Sequence, residues 1–418
     1  MRTHKSKFLA AALTCVVVLI AAGCSSSSSS STTTTTSSSS STSGKSTTYT
    51  LGVLTDQTGL AASEFATALA GVKAGIGAVS AEGYHIKYVV GDTGTNPTQA
   101  LTAAQTMVEQ DHVFAVLALS SLTFSAAPYL TSQHIPVIGG AFDGSEWLEP
   151  QSTNMFSVMG NLDFTKVTTT PGIFMKSQGV TNVGTLGYSV SPSSAAAARA
   201  DAVSAQHAGL KAGYVNDSFP FGSTNVAPVA LAMKSAGVDG IAPGVDPNTN
   251  FALITALKQD GVHLKVALLA TGYGVDVLNA GAPTIAVAQG SYFLSTYEPV
   301  EMNTPATQSM SAAFAKYAGQ TEPPDFAQYL GYLSVLAFVQ GLQGAGTNPT
   351  QASLITSLSH VTSYDADGLW GGHLTVNWSQ RAMGSKQCYW VTKLSGKSFQ
   401  LVPGADPVCG YIIPGASV

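Results

Sequence analysis

Residues 49–97 read YTLGVLTDQTGLAASEFATALAGVKAGIGAVSAEGYHIKYVVGDTGTNP, and the order of patterns within them decides the fold. Residues 49–54 form a short apolar run that ends in the polar loop 55–59. Phe65, Leu69, Val72, Ile76 and Val79 then recur at the spacing of one helical face, with Ser63 placed to cap the start and Gly83 to end the helix. Residues 86–90 predict a second strand, 91–96 a loop. Pro97 suits the first turn of a helix running through Leu101, Ala104, Met107 and Val108. Strand and helix in alternation predict a parallel sheet covered by helices.

The alternation continues outward. Strands are predicted at 113–119, 136–138, 183–186, around Ile241 and at 266–270, and helices at 125–133, 165–177, 194–208, 226–236 and 251–260. A connection at 156–162 separates two such series, which predicts an α/β protein of two lobes. Open α/β sheets bind ligands at the carboxyl ends of their strands. The tail differs, with helices at 306–317 and 326–344 and then strands at 374–377, 388–394 and 399–402, the last two joined by a Ser395-Gly396 turn. The expected division is a signal at 1–23, a tether at 24–48, one lobe of 49–160 plus 296–364, and a second of 161–295 plus 365–418.

The amino-terminal residues predict an address. Arg2, Lys5 and Lys7 precede the apolar stretch 8–22, and Ala21-Ala22-Gly23 precede Cys24. That stretch is shorter than the roughly 20 residues a membrane-spanning helix needs. It resembles a bacterial lipoprotein signal, which implies that Cys24 is acylated and the protein is anchored to the outer face of the cell membrane. Ala21 is a departure, standing where that motif usually has Leu. The Ser/Thr tract that follows lacks apolar residues and predicts a flexible tether. Only Cys388 and Cys409 then remain, and in an exported chain they predict one disulfide.

Composition excludes several functions. Only 10% of residues are charged and the net charge is −5, which becomes −8 without the three basic residues of the signal, so nucleic acid is not an expected partner. The eight histidines are scattered singly, and neither a Gly-x-Ser-x-Gly elbow nor a His-Glu-x-x-His pair is present. Residues 43–47 mimic a phosphate loop, but Ser39 occupies its first glycine position. No enzyme activity, metal or cofactor is expected.

Several local motifs carry a resemblance. They are Leu51-Gly52-Val53-Leu54 with Thr58-Gly59, Gly91-Asp92 with Asn96-Pro97, Leu119-Ser120-Ser121, Gly139-Gly140-Ala141 after the strand at 135–138, and Leu264-Lys265. In this order they resemble the type I periplasmic solute-binding proteins of ABC importers, in particular the leucine/isoleucine/valine-binding branch. The resemblance spans residues 49–409 and implies two lobes joined by three crossovers that close over a small solute, amino-acid-like or a related small organic acid or amide, with an ABC permease as membrane partner and a monomeric receptor. A ligand-sensing receptor of the same fold and a small-molecule hydrolase are the alternatives.

The resemblance also implies site residues. Ser120, with Ser121 beside it, falls at the serine that binds the ligand carboxylate, or else caps a helix. Ala141 would offer backbone contacts. Asp143 stands where the family commonly has a threonine facing the ligand's ammonium, and Tyr273 near the family's glutamate for the same group. The tyrosine expected after the first strand of lobe two is replaced by the Ser-rich stretch 189–194, with Tyr188 nearby. Phe65, Phe326 and Tyr329 are pocket or core aromatics, and Asn250 is a helix cap or a ligand contact. Loss of the glutamate predicts either that Asp143 supplies the charge or that the ligand has no ammonium.

Overall fold

Leu51, Val53 and Leu54 are wholly buried because their strand lies inside a parallel sheet with helices on both faces. The computed structural model describes residues 47–418, so the signal at 1–23, Cys24 and nearly all of the tether lie outside the described residues. The first sheet holds β1 (Thr48–Thr55), β2 (His85–Asp92), β3 (Ala115–Leu119), β4 (Val137–Gly139) and β5 (Met155–Ser157). Its order is β2-β1-β3-β4-β5, parallel throughout.

The second sheet holds β6 (Lys166–Thr168), β7 (Asn182–Tyr188), β8 (Lys211–Phe219), β9 (Gly240–Gly244), β10 (Val266–Leu269), β11 (Tyr292–Ser295), β12 (Lys386–Ser395), β13 (Ser398–Leu401) and β14 (Val408–Ser417). Strands β8, β7, β9, β10 and β11 are parallel in that order, and β12, β14 and β6 continue the sheet antiparallel. The two-lobed α/β expectation therefore holds. Among the described residues no helix is long and apolar enough to cross a membrane.

Three expectations needed correction. Ser63 caps nothing: it lies inside the short helix Ala62–Phe65, its hydroxyl unpartnered, and the longer helix begins afresh at Ala68. The helix read at 165–177 starts only at Thr170, because residues 166–168 pair with the chain end as β6. Residues 374–377 make only an isolated bridge, Val376 with Tyr364. Strands β5, β8, β11 and β14 were not foreseen. The predicted disulfide is present, Cys388 and Cys409 facing each other across β12 and β14 with Cα atoms 4.0 Å apart.

The chain passes from the first sheet to the second between β5 and β6, back after β11, and forward again before β12. After β11 the helix Phe326–Gly344 packs on Ala68–Ser80 of the first lobe. Glycines make that approach close: a Cβ on Gly71 would stand 2.0 Å from the Gln328 carbonyl oxygen, and one on Gly331 2.5 Å from that of Ala68. The last passage is pinned to the first lobe by Trp378, whose Nε1 donates to the Ser157 carbonyl, and by Arg381, which donates to the Trp147 carbonyl at 2.6 Å. Replacing Gly71 by alanine should therefore lower the unfolding free energy by about 1–3 kcal/mol, read from the urea midpoint. An unchanged midpoint would refute the close contact.

Candidate functional site

Loops at the carboxyl ends of strands from both sheets enclose a cavity of about 320 Å³. Volumes near this suit small organic molecules. Phe65, Ser121, Phe142 and Asp143 approach from the first lobe, Tyr188, Phe221, Asp246, Thr271 and Tyr273 from the second, and Tyr297, Phe326 and Tyr329 from the segment that follows β11.

Aromatic rings form much of the wall. Phe65 stacks on Phe142 with centroids 5.0 Å apart, and Phe326 meets Phe142 edge-on at 5.4 Å. Tyr188 lies 4.6 Å from Phe221, and Tyr297 stacks on Tyr329 at 5.6 Å. Such faces hold apolar or ring-bearing solutes and also attract cations.

The polar side is organised by carboxylates. Asp56, wholly buried at the loop after β1, accepts from the Ser120 hydroxyl at 2.9 Å, from the Ser121 N–H at 2.8 Å and from the Thr93 hydroxyl. The Leu122 N–H donates to Ser120 Oγ, and the Phe124 N–H to Asp143 at 2.7 Å. These amides stand at the opening of the helix Thr123–Ser132, so the Ser121, Leu122 and Phe124 N–H groups are taken by the protein's own side chains. Burial pushes the Asp56 carboxyl up, against the lowering effect of its hydrogen bonds.

Asp143 also accepts from Trp147 Nε1 at 3.0 Å, so both of its oxygens are engaged. Burial raises Asp143, and burial together with the Asp143 charge raises neighbouring Glu146. In the second lobe Asp246 accepts from the Tyr188 hydroxyl and caps the helix Pro247–Gln259 through the Thr249 N–H at 3.0 Å. The Tyr273 hydroxyl donates to Glu301 at 2.6 Å, and that of Tyr329 to the Glu298 carbonyl at 3.0 Å.

The residues singled out by sequence fall into two groups. Phe65, Ser121, Asp143, Tyr273, Phe326 and Tyr329 line the cavity. Ser120, Ala141 and Asn250 are fully buried behind it. Ser120 turns to Asp56, the Ala141 N–H donates to Ser157 Oγ at 3.2 Å, and Asn250 Nδ2 ties the Val245 carbonyl to Thr271 Oγ1, each at 3.0 Å.

Sequence reading missed Phe142, Phe221, Tyr297, Glu64 and Asp201, all in the wall. Glu64 makes no side-chain hydrogen bond among the described residues. Burial, then the charges of Asp246, Asp56 and Asp325, push its carboxyl well up. Spacing offered one signal for it, since Glu64 immediately precedes Phe65 on the same short helix. No metal-binding group of His, Cys, Asp and Glu occurs among the described residues.

The periplasmic binding protein family matches residues 48–398. The chain belongs to that family. Among solved structures it is similar to a substrate-binding periplasmic protein of Ralstonia solanacearum, with 16% identity, a TM-score of 0.70, and coverage of 85% of this chain and 99% of that one. It is also similar to the leucine binding protein LivK of Thermotoga maritima, with 15% identity, TM-score 0.68 and coverage of 85% and 97%. A solute binding protein of R. palustris in complex with 4-hydroxybenzoate matches at 16% identity, TM-score 0.68 and coverage of 85% and 95%. At such identities the shared property is the periplasmic-binding-protein fold. No protein of curated function matches the chain.

Burial pushes Asp201, in the cavity wall, up to about 7. An unfolded aspartate titrates near 3.9, so the folded state holds this proton more tightly, and the resulting stability is present below about pH 4 and lost as pH rises through 7. Asp201→Asn should be more stable than the parent at pH 8, and the difference should vanish at pH 4. An equal difference at both would contradict the assignment.

Proposed function

We propose that this periplasmic binding protein is the extracytoplasmic solute receptor of an ABC importer. It captures one small amphipathic organic molecule between its lobes and presents it to a membrane permease. The observation that carries this reading is the cavity itself, walled by aromatic side chains from both lobes at the carboxyl ends of their strands. Lobes of 49–160 with 296–364 and of 161–295 with 365–418, joined by three passages of chain, would close on the solute by hinge motion. The apolar signal before Cys24 supports lipid anchoring, and the Ser/Thr tract would leave the monomeric receptor free to reach its permease.

The aromatic wall also supports a solute with a ring or branched apolar part. Relatives of this fold that hold benzoate and 4-hydroxybenzoate agree with that size class.

A thermal-shift screen over amines, amides, amino acids and aromatic acids tests the reading. A true solute at 100 times its dissociation constant should add about 2.7 kcal/mol of stability and be recovered unchanged. Conversion of the compound, or a melting temperature that no class moves, would contradict it.

A further inference from the structure

Ser120, which the resemblance places at a ligand carboxylate, and most of the amides near it are already in use. Asp56 holds the Ser120 hydroxyl and the Ser121 N–H, Ser157 holds the Ala141 N–H, and Asp143 holds that of Phe124. Asp56 is an internal carboxylate that lies behind the cavity wall and holds the Ser120 hydroxyl the resemblance gives to a ligand's carboxylate. Among the described residues the cavity wall contains no Lys, Arg or His to offer instead. A second anion would find no cationic side chain there to offset the nearby carboxyl groups of Glu64, Asp143 and Asp246.

Uncommitted in the wall, among the described residues, are the Glu64 carboxyl and the hydroxyls of Ser121 and Tyr297. Glu64 faces the cavity without a hydrogen bond among the described residues, on the residue preceding Phe65 and its stack with Phe142. Independently, the Tyr297 hydroxyl lies in the same wall, with its residue 1% exposed and no protein partner, and Ser121 Oγ is likewise buried and unpartnered. Buried polar atoms of this kind are uncommon unless something else satisfies them.

We propose that the cleft recognises an amphipathic organic cation that lacks a carboxylate, with its ammonium at Glu64 and its apolar part against Phe65, Phe142 and Phe326. The inference rests on the solute-receptor reading and narrows its substrate class. Burial and the neighbouring carboxylates hold the Glu64 proton, and an arriving ammonium offsets both and ionises it. A carboxylate next to an aromatic face then supplies a charge-assisted hydrogen bond and attraction to the ring quadrupole. Asp143, the residue that sequence reasoning nominated for this charge, is occupied by Phe124 and Trp147.

Calorimetric titration of the full-length protein with skeleton-matched series tests this. One series is 2-phenylethylamine, 3-phenylpropanamide and 3-phenylpropionate, the other isoamylamine, 4-methylvaleramide and 4-methylvalerate, with phenylalanine and leucine added. The amines should bind at least about tenfold more tightly than the acids and the amino acids. Glu64→Gln should weaken amine binding at least about tenfold, while an unliganded melting transition as cooperative as the parent's shows that the variant is folded. Acids or amides binding better than amines, or an unaltered amine affinity in Glu64→Gln, would overturn the cation assignment while leaving the receptor reading intact. No heat and no thermal shift with any member would overturn the receptor reading and the inference with it.

Discussion

The buried carboxylate of Asp56 is the interaction on which the cleft depends. Leaving β1, it accepts hydrogen bonds from Thr93 after β2 and from Ser120 and Ser121 after β3, and so binds together the loops of three adjacent strands. A buried anion is tolerated only when such donors surround it. Through them Asp56 fixes the start of the helix Thr123–Ser132 and settles what kind of group its amides can meet. Asp246 plays a matching part in the second lobe, joining Tyr188 at the end of β7 to the cap of the helix Pro247–Gln259. Each lobe thus presents a cleft edge set by an internal aspartate.

Much of the fold was legible because parallel strands buried on both faces leave unbroken apolar runs, as at Leu51, Val53 and Leu54, and helices leave their 3.6-residue period. What escaped was non-local or short. β6 exists only by pairing with β14 at the other end of the chain. β5 has three residues, and β8 is an edge strand in which Lys211, Gly213 and Val215 alternate as exposed residues and the half-buried Asn216 and Asp217 interrupt the apolar pattern. The helix Phe326–Gly344 was read at its observed bounds, since Asp325 and Gln328 cap it reciprocally and its face is continuous.

The site was legible as a place and less so as chemistry. Phe65, Phe326 and Tyr329 were found because, near helix starts, they fall close to positions where the resembled family packs aromatics on its ligand. The resemblance put Ser120 at the ligand, yet Ser121 lines the cavity and Ser120 turns to Asp56, because neighbouring residues leaving a strand point to opposite sides and a shift of one exchanges the cavity for the core. Asp56 entered the sequence reading only as part of a polar loop. Nothing local indicates that its partners lie in loops 37 and 64 residues away. Glu64 was passed over for a related reason: its distinction is the hydrogen bond it does not make.

The account comes down to which partner holds the Ser121 N–H when solute is bound. A crystal structure of the complex with 2-phenylethylamine measures this directly. The account predicts the ammonium within hydrogen-bond distance of Glu64, the ring against Phe65 and Phe142, and Asp56 still accepting from Ser120 and Ser121. A complex with 3-phenylpropionate or leucine in which the ligand carboxylate displaces Asp56 from those donors would contradict it.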